Sequence, residues 1–297
     1  MRNLPTPSRD TVEEDLKNAL KKYKYRREEK GYQASEEEIV ALMAIYNSYD
    51  QSAGAPSAAH AGPNLGSEIK DALYSAYDLL KKGRRLHHVR RDLLREVGRC
   101  PICGITIARK LDHFLPRSAF KTLAIYSRNL VPVCGDCNEM KSDKGVDLES
   151  ERFVHAYFDV LPDIDFIVAE VTLEGAALSF EFTVAEQGLL GPALAEKLVY
   201  QLGALSLNER FSAELNTYLS SLSTSLRMIW EYGGAPDIRV LLAKQIVGET
   251  REHHRNDWRV VTLKALLKHD GFCGGGFQEV FALSERLRDP AVELVTA

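Results

Sequence analysis

Four cysteines and a nearby Asp-His pair are the residues of this sequence whose types and spacing could do chemistry. The cysteines form two C-x-x-C pairs, Cys100 with Cys103 and Cys134 with Cys137. Each short turn can present two sulfurs to one ion, so two pairs suit a tetrahedral zinc, whereas redox chemistry needs only one pair. We predict a structural zinc that fastens the ends of a small insert with little core of its own. Unmetallated or redox-active cysteines are the alternative.

The Asp-His pair lies between the two cysteine pairs, in the stretch RKLDHFLPRSAF at 109–120. The preceding residues, ITIARKLDHF, alternate in the manner of a strand, with Leu111 and His113 on one side. Asp112 is then on the other side at the strand end, where twist can bring both groups toward one concave site. An isolated Asp-His pair more often forms a local hydrogen bond, but its position between two metal knuckles favours catalysis.

A second strand and a short helix are predicted to follow. NLVPVC carries Leu130, Val131 and Val133, which indicate a strand leading to the second cysteine pair. Asp136 with Glu139 three residues later is a capping-box pattern, so CNEMKSDK is predicted to form a helix of about two turns. The predicted order is strand, strand, helix, with a zinc clamp.

The sequence resembles the HNH endonucleases, the ββα-metal nucleases, in the variant clamped by four cysteines. The resemblance rests on four motifs that follow one another along the chain: C-x-x-C, DHFLP, NL and CGDCNEMK. The resemblance covers roughly residues 98–148. The three family positions are His113, Asn129 and Asn138, where Asn138 replaces the last histidine. An amide oxygen can still bind a hard cation.

The resemblance implies hydrolysis of phosphodiester bonds in nucleic acid, with DNA as the expected substrate and RNA as the alternative. This reaction needs a base for water and a cation at the phosphate. His113 would be the general base, and Asp112 with Asn138 would hold one Mg²⁺ or Mn²⁺ ion. Asn129 would hold either the following loop or the His113 ring in place.

A basic segment precedes the first cysteine pair and could bind the phosphate backbone. Residues 81–99 contain eight Lys or Arg side chains against two acidic ones. Residues 1–150 carry 25 basic and 21 acidic side chains, a net charge of +4, whereas residues 151–297 carry 13 and 21, a net charge of −8. A polyanion should therefore approach the first half. The predicted phosphate-binding residues are Arg84, Arg85, Arg90, Arg91, Arg117 and Lys141; a solvated helix face is the alternative.

The remaining sequence predicts helical flanks, and the fold class is therefore α+β. Residues 1–97 are predicted to be helical, with breaks near Gly31 and Gly83 and a flexible linker near 52–66. Residues 98–148 are the HNH module. Residues 149–297 are predicted to contain a β-hairpin within 165–184, followed by helices.

Composition narrows the class of protein further. The chain has five cysteines in 297 residues, which argues against a secreted disulfide framework. It shows no signal-peptide core and no long apolar run, so we predict a cytoplasmic protein without membrane contact. Long helical flanks also resemble nuclease effectors of bacterial restriction or anti-phage systems, for which a partner ATPase is expected. A zinc-clamped nucleic-acid-binding module without catalysis is the alternative function.

Overall fold

The computed structural model describes residues 1–185 and 190–288. These residues form two compact units. The N-terminal unit comprises Arg2–Ile102 and Thr106–Leu161, and the C-terminal unit comprises Met1, Cys103–Ile105 and the described residues from Pro162 onward. Helices and small two-stranded sheets make up both units, which confirms the α+β class. Residues 289–297, the end of the predicted third region, lie outside the described residues.

The N-terminal unit begins with helices that a small hairpin separates. The predicted helices between residues 9 and 48 are interrupted earlier than Gly31, because Arg26 and Arg27 adopt positive φ angles of 50° and 72° and turn the chain back on itself. The second helix starts at a complete capping box formed by Ser35 and Glu38. The elements are α1 Val12–Ala19, β1 Tyr23–Tyr25, β2 Glu28–Lys30, α2 Glu36–Gln51, α3 Ser67–Ala76 and α4 His87–Leu94.

The segment predicted as a linker, 52–66, is partly ordered against the rest of its unit. A 3-10 helix spans Ala58–Ala61, and the His60 side chain within it is completely buried. The Thr122 hydroxyl donates a hydrogen bond to the carbonyl of His60. Composition alone predicted a flexible segment here. Its small residues instead allow the chain to pack closely. The break at Gly83 is confirmed by a φ of 78° between α3 and α4.

The module between the cysteine pairs has the predicted order of strand, strand, helix. Strand β3 spans Lys110–His113, β4 spans Leu130–Val133, and α5 spans Gly135–Lys141. The strands are antiparallel, with Asp112 opposite Val131 and His113 opposite Leu130. The first strand is shorter than predicted, because Ile107 forms only an isolated bridge with Arg99 before β3 begins.

Helix α5 begins two residues earlier than the predicted capping box. Its N-cap is Cys134, whose sulfur accepts a hydrogen bond from the Cys137 amide at 3.4 Å. Asp136 is therefore inside the helix, and its capping role with Glu139 was wrong. A cysteine sulfur can replace the usual oxygen cap here because the knuckle turn already directs it at the first free amides.

One hydrophobic core joins this module to the N-terminal helices. Leu111, Leu115 and Leu130 belong to the same buried cluster as Leu42 and Leu73. Part of the predicted module, residues 98–148, is therefore buried together with the N-terminal helices. The helices α2 and α3 can thus place side chains against the Asp-His pair.

The C-terminal unit contains the predicted hairpin followed by helices. Strands β5 and β6 pair antiparallel through a turn at Gly175 and Ala176, which confirms the hairpin. The long helix α7 is kinked at Gly234, where φ is 58°. Among the described residues, no helix has the length and apolar character needed to cross a membrane. The elements are β5 Ile167–Glu174, β6 Ala177–Val184, α6 Pro192–Ala204, α7 Leu207–His253, α8 Trp258–Lys268 and α9 Phe277–Arg288.

Candidate active site and zinc centre

The four predicted zinc ligands meet at one point. The sulfurs of Cys100, Cys103, Cys134 and Cys137 all lie within 4.8 Å of one another, and all four side chains are buried. None of them forms a disulfide. Within 1–185 and 190–288, the four cysteines are the one group of three or more His, Cys, Asp or Glu side chains whose ligand atoms lie close enough to share a metal ion.

The geometry of this cluster fits a tetrahedral zinc ion. Zn–S bonds of about 2.3 Å separate tetrahedral sulfurs by about 3.8 Å, which is compatible with the observed spacing. Backbone amides also point at the sulfurs: Ile105 donates to Cys103 and Cys137 donates to Cys134, each at 3.4 Å. Such donors favour the thiolate form that binds metal. The four cysteines therefore form a candidate zinc site.

Asp112 lies at the opposite end of the module and is buried beside a lysine. Its Oδ2 atom is 2.9 Å from Nζ of Lys141, whose side chain is only 2% exposed. The same ammonium donates to the carbonyl of His113 at 2.9 Å. Burial raises the pKa of Asp112 to about 6, although Lys141 opposes this rise. Asp112 is thus a desolvated carboxylate with one cation already in contact.

His113 is held in one orientation by two contacts. Its Nε2 atom is 2.9 Å from the carbonyl of Ala124, and its ring lies 4.5 Å from that of Tyr77. Burial lowers the pKa of His113 to about 4, so the imidazole is neutral near neutral pH. Because a carbonyl can only accept, Nε2 carries the hydrogen and Nδ1 keeps its lone pair. This tautomer suits a general base acting through Nδ1.

Asn129 makes four hydrogen bonds, three of which hold the loop between β3 and β4. Its Oδ1 accepts from the Leu115 amide at 2.8 Å and from the Tyr49 hydroxyl at 3.0 Å. Its Nδ2 donates to the carbonyls of Leu115 and Leu123 at 3.0 and 3.3 Å. Of the two roles expected for Asn129, the contacts correspond to fixing the loop. The His113 ring is positioned instead by Ala124 and Tyr77.

A histidine outside the predicted site is linked to Asn129 through the hydroxyl of Tyr49. His155 is buried, and its Nδ1 accepts from the Tyr157 amide at 3.1 Å. Nε2 therefore carries the hydrogen, which it can donate to the Tyr49 oxygen 3.0 Å away. Tyr49 in turn donates its own proton to Asn129. This ordered relay keeps each of these buried polar groups paired.

Asn138 lies within α5. It precedes Lys141 by three residues, so the two share a helix face, and Lys141 contacts Asp112 directly. The Asn138 side chain is half-buried. The helix thus brings the third family position to the same side of the module as Asp112.

The predicted phosphate-binding residues differ in how much of their charge remains available. Lys141 is buried, and its ammonium already pairs with Asp112. Arg85 donates to the carbonyls of Ala19 and Lys21, and Arg91 pairs with Asp92 at 2.8 Å. These contacts reduce the number of donors in the basic segment that can reach a phosphate.

Arg84, Arg90 and Arg117 are the other predicted phosphate-binding residues. Arg84 is exposed. Arg90 donates to the Arg109 carbonyl at 2.6 Å. The Arg117 guanidinium lies over the ring of Tyr77, beside His113.

Sequence reasoning missed Tyr49, Tyr77, His155 and the Ala124 carbonyl. Tyr74 and Tyr77 are three residues apart, a spacing that indicates one shared face, but nothing in the sequence directs that face toward His113. His155 has no ligand-type residue near it in sequence. Its ring contacts Tyr49 of α2, Phe114 of the β3–β4 loop and the amide of Tyr157.

Comparison with known proteins gives one distant relative. The chain is 26% identical to "Protein ea31" of Escherichia phage lambda over 202 residues, which cover 62% of this chain and 67% of that protein. No family model matches the chain, and no solved structure matches it. At this identity the likeness does not assign the chain to a family, and the relative's name states no activity.

Proposed function

We propose that this protein is a metal-dependent endonuclease of the HNH type that hydrolyses phosphodiester bonds of nucleic acid, with DNA as the expected substrate. One observation carries the proposal: the end of β3 presents Asp112 and a neutral, oriented His113 against the helix that bears Asn138. The buried cysteine cluster clamps the other end of the same module.

His113 acts as the general base in this proposal. Its Nε2 hydrogen is donated to the Ala124 carbonyl, so Nδ1 takes the proton from the attacking water. The Tyr77 ring limits rotation of the imidazole. A neutral histidine requires no prior loss of a proton, which is why its lowered pKa suits the role.

Asp112 and Asn138 would hold the divalent ion. A carboxylate and an amide supply the oxygen ligands that Mg²⁺ and Mn²⁺ prefer. Within the described part of the chain, Asp112 makes its side-chain contact through Oδ2 to Lys141, so Oδ1 can serve a second cation. When bound, the ion would supply positive charge at the phosphate and at the leaving oxygen. In the chain itself, Lys141 holds the Asp112 carboxylate in the ionised form that binds metal.

One feature favours the alternative of a nucleic-acid-binding module without catalysis. The Asp112 carboxylate already contacts Lys141, and a carboxylate neutralised in this way binds a divalent ion less strongly. A role in phage defence or restriction, with an ATPase partner, stays a prediction from the resemblance. The two biochemical functions differ in one measurable property, cleavage.

Replacing His113 by alanine tests the enzyme against the binder. Supercoiled plasmid is incubated with the parent and with His113→Ala in Mg²⁺ or Mn²⁺, with an EDTA arm. The parent should nick or cut, and His113→Ala should cut about 10²- to 10⁴-fold more slowly because the base is lost. Zinc content and thermal unfolding should not change, since no cysteine is altered.

His253→Ala is the matched control for this variant. His253 lies on α7 in the C-terminal unit and pairs with Glu249, so its loss should leave cleavage at the parent rate. If His113→Ala cuts as fast as the parent, His113 is not the base. Binding of plasmid by a parent that never nicks it would support the module without catalysis.

A further inference from the structure

Two tyrosines at the end of α3 form an aromatic surface beside His113. The Tyr77 hydroxyl donates to the carbonyl of Leu111 in β3 at 2.9 Å, which anchors its ring against the strand. The same ring lies 4.5 Å from the His113 imidazole. Tyr74 is one turn earlier in the chain and is 39% exposed. The aromatic surface, Tyr74 and Tyr77, therefore extends from the candidate base toward solvent.

Arg117 lies on both rings of this aromatic surface. Its guanidinium carbon is 4.4 Å from the centre of the Tyr74 ring and 4.9 Å from the centre of the Tyr77 ring. Stacking engages the flat face of a guanidinium and leaves its N–H groups at the edges. Arg117 makes no hydrogen bond or ion pair to any residue in the described ranges. It therefore has a fixed cation and a full set of N–H donors.

Another arginine in the same unit shows what distinguishes Arg117. The guanidinium of Arg85 also lies over a tyrosine, 5.2 Å from the centre of the Tyr23 ring. Its Nη1 and Nη2 groups, however, donate to the backbone carbonyls of Lys21 and Ala19. An arginine with its donors already engaged connects two parts of the fold, whereas one with free donors next to a base can bind an anion.

We propose that Tyr74 and Tyr77 hold the Arg117 guanidinium beside His113, where its N–H edge binds the nonbridging oxygens of a substrate phosphodiester. This inference rests on the proposed nuclease function and assigns the phosphate-binding group of that site. Arg117 contacts the substrate, while Tyr74 and Tyr77 are positioning residues that act through it. An arginine edge suits a phosphate because two parallel N–H groups match two phosphate oxygens.

The proposal is tested by binding and cleavage of a fluorescein-labelled DNA duplex. Binding is measured by anisotropy in EDTA over a range of salt concentrations, and KM and kcat are measured in Mg²⁺ or Mn²⁺. Arg117→Gln should weaken binding about tenfold and reduce the slope of log affinity against log salt by about 0.9, the value for one lost phosphate contact. Arg117→Lys should recover part of the affinity, because it keeps the charge without the planar edge.

Tyr74→Leu and Tyr74→Phe separate positioning from general packing. Tyr74→Leu should raise KM by about two- to fivefold with little change in kcat, since an exposed cation–π contact is lost. Tyr74→Phe keeps the ring and should behave as the parent. Tyr23→Leu is the matched control, because it removes a ring from beneath Arg85, whose Nη1 and Nη2 groups are already bonded to backbone carbonyls, and it should leave KM and the salt slope unchanged.

The outcomes separate this inference from the nuclease function. If the parent cleaves and His113→Ala does not, but Arg117→Gln retains the parent KM and salt slope, the phosphate role of Arg117 is wrong and the nuclease function stands. If Arg117→Gln loses affinity while Tyr74→Leu does not, the aromatic support is wrong. If His113→Ala cleaves like the parent, the nuclease assignment itself fails. Melting temperature and zinc content, measured for every variant, identify those that fail to fold.

Discussion

The two ends of the β3–β4–α5 module differ in the sequence separation between the residues that form them. At the cysteine end, the ligands lie in two short turns, and amides of the same turns point at the sulfurs. At the proposed catalytic end, His113 is oriented by Tyr77, which directly follows α3, and by the carbonyl of Ala124. A metal knuckle can thus be encoded locally, whereas an oriented base needs partners that only folding brings together.

Loss of the cysteine end should have the largest effect. Cys137→Ser removes one of four thiolates, and we expect zinc to fall well below one ion per chain. The region 98–148 should unfold, because zinc binding in small domains contributes about 10–16 kcal/mol, comparable to the whole stability of a domain. Metal analysis and thermal unfolding measure both effects.

Cys273→Ala is the control for the cysteine substitution. Cys273 is buried in the C-terminal unit and is not part of the cluster, so its loss should leave the zinc content unchanged. Absence of zinc from the parent protein, purified without chelator, would show that the cluster is not a zinc site.

Loss of a proposed metal ligand at the catalytic end should have an intermediate effect. Asn138→Ala should slow cleavage on the order of 10- to 100-fold, because the divalent ion binds less tightly. Raising the Mg²⁺ or Mn²⁺ concentration should partly restore the rate, since Asp112 remains. Zinc content should match the parent, which separates the two ends of the module.

Glu139→Ala serves as the comparison on the same helix. Glu139 is the exposed neighbour of Asn138, and its replacement should leave the metal dependence of cleavage as in the parent. A variant Asn138→Ala with the parent's metal dependence would remove Asn138 from the site.

The smallest effect is expected from the support behind Asn129. Tyr49→Phe removes the hydroxyl that joins Asn129 to His155, so each of these buried side chains loses one hydrogen bond. The free energy of unfolding should fall by about 1–3 kcal/mol, measured by urea denaturation.

Tyr46→Phe is a close control because Tyr46 is on the same helix and is also buried. Its hydroxyl has no hydrogen-bond partner in the described structure, so removal should be neutral or slightly stabilising. Equal stability changes for the two substitutions would show that the relay through Tyr49 contributes nothing measurable.

Several features could be predicted from the sequence because neighbouring residues determine them. The two C-x-x-C pairs, the order of two strands and a helix, and the β5–β6 hairpin all agree with the structure. Some local details differ from the prediction. Cys134 caps α5 in place of Asp136, and the predicted break near Gly31 contains a hairpin that turns at Arg26 and Arg27.

The roles of individual basic side chains could not be predicted in the same way. Lys141 and Arg117 both look like solvent-exposed phosphate binders in the sequence. The structure buries Lys141 against Asp112 and places Arg117 on Tyr74 and Tyr77. Which of these outcomes occurs depends on the surface that each side chain meets after folding.

The sequence by itself determined the candidate zinc ligands and placed Asp112 next to His113 at a strand end, because ligand spacing and strand geometry are short-range properties of the chain. Only the tertiary structure decided the tautomer of His113 and the four bonds of Asn129. Burial lowers the pKa of His113, and the direction of the Ala124 carbonyl determines which ring nitrogen carries the hydrogen. Both depend on segments that are distant in sequence. Electrostatic and hydrogen-bonding environments are properties of packed surfaces, so they arise when α2, α3 and the β3–β4 loop meet.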